Sequence, residues 1–171
     1  MKTEQMMIEE AKKYMQTAKK RRTAKNATIP LQRIKLAETG TDYATRAIGN
    51  RKELEAFCTE LNGEECFEKF SIIAVDAQCR PIGVYSIQGS LSEVSAYPRV
   101  VVTYALLSNA HSVFLTHNHP GGTAAPSTED ITTTLTLQKL LKALDIHILD
   151  HMITTPDGNA YSMAQHGDIT Y

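Results

Sequence analysis

Apolar positions divide this chain into short segments of alternating kind. Leu54, Phe57, Cys58 and Leu61 recur at three- and four-residue intervals, which predicts a helix over residues 50–61. Residues 68–76 and 82–88 carry β-branched and aromatic side chains and predict two strands, with residues 77–81 as the hairpin between them. Pro98 suits the first turn of a helix reaching about residue 109, although Val100, Val101 and Val102 are stiff at χ1. Residues 112–119 read as a short buried strand, and Ile131, Leu135, Leu137, Leu141 and Leu144 mark a helix over 127–144. A strand over 146–154, a turn at Pro156-Asp157-Gly158 and a last strand over 160–164 complete the series. Strands and helices interleave and no internal repeat emerges, so the expected fold class is α/β or α+β.

Composition narrows the picture. The 171 residues suit one domain plus an appendage, and a domain of about 120 residues buries a sizeable core. A net charge of -1 gives no global drive toward nucleic acid, and no apolar run approaches the roughly 20 residues that span a membrane. Met1-Lys2-Thr3-Glu4-Gln5 leads into a charged segment without an apolar stretch, so no secretory signal is expected. Cys58, Cys66 and Cys79 are odd in number and lack Cys-x-x-Cys spacing, which argues for reduced thiols and a cytoplasmic location. Charge is distributed unevenly: Lys12, Lys13, Lys19, Lys20, Arg21, Arg22 and Lys25 form a run without an acidic residue. Residues 1–40 thus read as a basic helical arm followed by a linker or lead-in strand, and residues 41–171 as the domain. The arm either forms a solvated face or meets nucleic acid, and Tyr14 is its single aromatic platform.

The chemistry concentrates at His117, His119 and Asp130. Two histidines one residue apart on an extended segment project from the same face, so both imidazoles can reach one ion. The ten residues between His119 and Asp130 let the chain loop back with a carboxylate as third ligand, leaving a fourth position for water. Ser127 and Asp130 equally fit the helix-capping pattern Ser-x-x-acid. The two roles are compatible, because Ser127 can cap while Asp130 binds metal. Two imidazoles and a carboxylate suit one Zn2+ with water completing the shell; manganese and iron share the ligand type.

His117-x-His119-Pro120, followed by Ser127 and Asp130, resembles the signature of the JAMM (MPN) metalloproteases. His117-Asn118-His119-Pro120-Gly121-Gly122 is similar to the His-Asn-His-Pro-Ser-Gly of their bacterial RadC-like branch, with Gly121 where serine is usual. Residues 145–153 resemble that branch's Gly-Ile-x-Leu-Leu-Asp-His-Ile-Ile, and Tyr161-Ser162-Met163 its closing Tyr-Ser-Phe. Glu68-Lys69-Phe70 resembles its Glu-x-Phe at the start of a strand, and the likeness runs from about Gly49 to about Gly167. The adjacent letters His-Asn-His are no evidence for the HNH nucleases, whose name denotes residues scattered over a longer motif. Full-length RadC proteins often carry a helix-hairpin-helix module, and residues 1–40 show no Gly-rich hairpin of that kind.

The resemblance implies a cytidine-deaminase-like MPN/JAB fold, a mixed sheet flanked by helices. It also implies a zinc-dependent hydrolase of peptide or isopeptide bonds acting on a peptide or protein substrate. Glu68 would be the general base, with Glu93 second and Glu64 and Glu65 as rivals, and Ser127 would help hold the oxyanion. His151 and Asp150 are expected to orient the site or the core, while His111, His147 and His166 have no partner pattern. The alternative is a DNA-repair or nucleic-acid accessory protein that keeps the metal site and binds through its basic arm.

Overall fold

A computed structural model describes residues 47–62, 66–88 and 97–170. The basic arm and linker, Glu64, Glu65 and Glu93 lie outside the described residues. The elements are α1 (Arg51–Asn62), β1 (Lys69–Val75), β2 (Pro81–Gln88), α2 (Tyr97–Leu107), β3 (Ser112–Asn118), α3 (Thr128–Lys142), β4 (His147–Thr154), β5 (Ala160–Ser162) and α4 (Met163–His166). They follow the apolar pattern closely. Pro98 does occupy the first turn of α2, which stops at Leu107 rather than 109, where Asn109 turns left-handed with φ 52°.

The strands form one five-stranded mixed sheet in the order β2-β1-β3-β4-β5. β3 and β4 run parallel, joined by α3, and the other neighbouring pairs are antiparallel. All seven residues of β3 are buried, as expected of a central strand covered on both faces. Alternation sorts the side chains: Phe70, Ile72, Ala74, Val113 and Leu115 pack with Val101, Ala105, Leu137 and Leu141 of α2 and α3. Ile73, Val75, Phe114 and Met152 pack on the other face against Leu54, Phe57, Cys58 and Leu61 of α1. Gly83 of β2 lets Tyr104 lie on the sheet, since a Cβ there would stand 2.5 Å from the tyrosine hydroxyl.

The end of the chain corrects the expected strand over 160–164. Pairing stops at Ser162, whose side chain accepts from the Gln165 N–H and starts the one-turn helix α4, and Gly167 closes it at φ 82°. A β-bulge in β4 has larger consequences. Val113 pairs with Ile148 but Phe114 pairs with Asp150, so Leu149 is skipped and the alternation of β4 shifts by one. His151 is thereby placed opposite Leu115, on the same face as His117, while Asp150 turns to the other face. Among the described residues no helix is long and apolar enough to cross a membrane.

Candidate metal centre

The parallel β3-α3-β4 unit brings the three expected ligands together. His117 lies in β3, and His119 sits one residue past its end, where its N–H donates to the Thr154 carbonyl at 2.9 Å. The chain then turns at Gly122, which adopts φ 83° and donates its N–H to the His119 carbonyl at 3.1 Å. Ser127 caps α3, and Asp130 in the first turn points back at the histidines. His117 Nε2 is 2.9 Å from His119 Nε2 and 3.4 Å from Asp130 Oδ1, and His119 Nε2 is 3.5 Å from Asp130 Oδ2. Among the described residues, these three form the group of ligand atoms close enough to hold one metal ion.

Capping and convergence coexist because a carboxylate has two oxygens. Asp130 Oδ2 accepts from the Ser127 N–H at 2.8 Å and from the Ser127 hydroxyl at 2.7 Å, while Ser127 Oγ accepts from the Asp130 N–H at 3.0 Å. Oδ1 takes no part in the cap and faces His117. Burial works to raise the Asp130 carboxyl, but hydrogen bonds to His117 and His119, the charge of His117 and the Ser127 hydroxyl outweigh it and hold the group well below the ordinary carboxylate range. His119, partly exposed, is raised chiefly by its bond to Asp130. His117 is 2 % exposed, and there burial wins over Asp130 and lowers its pKa.

Glu68 stands one residue before β1, and the pairing of Phe70 with His117 brings this segment beside the ligands. Its charge is felt at both His117 and His119, where it favours the protonated imidazole. Asn118, between the two histidines, points the other way and fastens that segment. Its Oδ1 accepts from the Lys69 N–H at 2.7 Å and its Nδ2 donates to the Phe67 carbonyl at 3.0 Å, so the carboxamide brackets Glu68 on both sides.

His151 does not join the ligand group; its Nε2 lies 2.8 Å from His117 Nδ1 and its Nδ1 2.7 Å from Thr134 Oγ1. Burial pushes His151 well below the usual histidine range. Asp150 serves the core: it accepts from the His151 and Ala164 N–H groups and from the Ser162 hydroxyl, on the wall of a cavity of about 440 Å³ that the ligands do not line. His166 stacks on Tyr161 with ring centroids 4.0 Å apart, and His111 meets the Ser112 hydroxyl, both away from the centre.

The model of the RadC-like JAB domain matches residues 48–168. The chain belongs to this family. Its sheet and flanking helices are the JAB/MPN fold of RadC-like proteins. Among RadC-like relatives, the UPF0758 protein of Paracidovorax citrulli is 36 % identical over 152 residues, covering 86 % of this chain and 61 % of the relative. Those of Variovorax paradoxus and Albidiferax ferrireducens are 42 % and 44 % identical over 106 and 101 residues, covering 61 % and 58 % of this chain and 47 % and 43 % of the relatives. The chain thus spans about half the length of the curated relatives it matches.

Sequence reasoning passed over Asn118 and Thr134. Alternation was the available signal for Asn118, since a residue between two inward histidines must face elsewhere. For Thr134 it was the four-residue step from Asp130, which puts both on one face of α3.

Proposed function

We propose that this domain is a metal-dependent hydrolase of the JAMM type, cleaving a peptide or isopeptide bond with zinc as its cation. The observation that carries this reading is the convergence of His117 Nε2, His119 Nε2 and Asp130 Oδ1. Their chemistry fits the cation. The His119 Nδ1–H donates to the Thr123 carbonyl at 2.7 Å, which leaves Nε2 as a lone pair directed into the group, beside a carboxylate oxygen that the helix cap does not use. Two imidazoles and one carboxylate are a borderline donor set that suits zinc in an open catalytic site. When bound, such a cation supplies Lewis-acid polarisation of a carbonyl and lowers the pKa of water.

The rest is the work of the chain's own side chains. Glu68 accepts the proton of the attacking water and returns it to the leaving nitrogen, so that water adds to the carbonyl carbon as the C–N bond breaks. Its position beside the ligands, bracketed by Asn118, supports that role. Ser127 supplies a hydroxyl toward the developing oxyanion by turning its proton away from Asp130 Oδ2. Asn118 keeps the Glu68 peptide from drifting by even the ångström that costs a positioned base much of its effect.

Cleavage of a mixed peptide library by purified protein, followed by mass spectrometry, tests this reading. Hydrolysis is expected to vanish on chelation, return with added zinc, and fall about 10²- to 10⁴-fold in Glu68→Gln. Cleavage that is indifferent to chelation, or equally fast in Glu68→Gln, contradicts it.

A further inference from the structure

Behind the ligand pair runs a chain of hydrogen bonds whose polarity can be worked out from one end. Thr134 Oγ1 lies 2.6 Å from the Asp130 carbonyl, which can only accept, so the hydroxyl proton points there. The same Oγ1 is 2.7 Å from His151 Nδ1 and, its proton spent, must accept; His151 therefore carries a proton on Nδ1. The His151 ring is buried, edge-on to Phe70, and Thr134 and His117, to which its two nitrogens are bonded, can be neutral. As a neutral imidazole it has a lone pair on Nε2, 2.8 Å from His117 Nδ1, so His117 donates from Nδ1 and presents a lone pair at Nε2.

A threonine bonding to the carbonyl four residues back is common in helices and by itself means little. Here the hydroxyl is fully buried and holds a second bond to an imidazole, and the two ends of the chain are the residues that converge on each other. Together with His119, whose proton is committed to Thr123, the result is two lone pairs facing each other across 2.9 Å, an arrangement that a cation relieves.

We propose that Thr134 and His151 are positioning residues: a hydrogen-bonded strap from α3 through β4 to β3 that fixes the tautomer and tilt of His117 for metal binding. The proposal rests on reading His117, His119 and Asp130 as a metal centre. The strap also ties the strand that supplies the histidine to the helical turn that supplies the carboxylate, so neither ligand shifts without the other. Such supporting bonds typically govern metal affinity by about 10- to 100-fold.

Two measurements on the full chain decide it. Zinc affinity, read by competition with a chromophoric chelator, is expected to weaken about 10- to 100-fold in Thr134→Val, which keeps the side chain's shape, and to return to within about threefold of wild type in Thr134→Ser. The ¹⁵N spectrum of metal-free wild-type protein is expected to show His151 protonated at Nδ1, with mixed tautomers in Thr134→Val. Unchanged affinity in a folded Thr134→Val protein, or a wild-type His151 protonated at Nε2, overturns the strap. Should wild-type protein bind no zinc at all, the metal reading and the strap's role in it both fall, while the ¹⁵N spectrum still tells whether the hydrogen-bond polarity was assigned correctly.

Discussion

On one face of the sheet, His117 of β3 and His151 of β4 are buried beside Asp130 and Thr134 of α3. On the other, at the same end of the same strands, Thr116 and Thr154 are buried beside Asn62 of α1. Both clusters hold polar groups away from water, yet they are built differently. Asn62 Nδ2 donates one hydrogen to Thr116 Oγ1 at 3.0 Å and one to Thr154 Oγ1 at 2.7 Å, so donors meet acceptors and a helix is stapled to two strands. Its Oδ1 meets no donor among the described residues, a cost that the two staples offset. In the histidine cluster two imidazole nitrogens and a carboxylate oxygen meet with no fixed donor between them: the His119 Nδ1 hydrogen goes to Thr123, and Nε2 gains one only when the imidazole is protonated. Buried polarity alone does not mark a functional site; convergence of like-signed electron pairs does.

The largest break in this comparison should come from Asp130→Asn. The amide oxygen can still accept the Ser127 N–H, so α3 should lose about 0.5 to 1 kcal/mol of cap and the fold should survive, as circular dichroism and thermal melting would show. Zinc affinity should fall by about 100-fold or more, because the anionic oxygen that balances the dication is gone. Asn62→Ala should do the reverse. Loss of two buried hydrogen bonds should lower stability by about 1 to 3 kcal/mol in urea titration, with zinc affinity unchanged.

Acidification separates the two faces more gently. Metal binding requires neutral imidazole, and Asp130 raises the pKa of His119, so protons compete at a pH above that of an ordinary histidine. Zinc affinity should therefore drop about tenfold per pH unit once the pH passes below that raised value, as isothermal titration at several pH values would record. The Asn62 cluster should not respond, since its amide and hydroxyl groups do not titrate. The smallest effect is a control remote from both clusters. Asp145 holds a left-handed φ of 58° after α3, and Asp145→Gly should raise stability by about 0.5 to 1 kcal/mol without altering metal affinity.

Much of this was legible in the sequence because it is local. Helical spacing in α1, Pro98 at the start of α2, and the His-x-His and Ser-x-x-Asp spacings each depend on a few neighbouring residues. What was hidden depends on register or on distance. Sequence leaves open whether Asp150 or His151 faces His117; the skipped Leu149 decides it, and a bulge has no periodic signature. Asn62 finds its partners 54 and 92 residues away. The end of β5 is hidden because Ser162 continues the alternating pattern while acting as a cap.

The central claim is that His117, His119 and Asp130 hold one divalent cation. The most direct test is metal content: load the full chain with zinc, remove the excess, and count the ions retained by plasma mass spectrometry. About one zinc per chain in wild type and next to none in a folded His119→Ala variant is the predicted result. Wild-type protein that is folded yet retains no more metal than His119→Ala would contradict it.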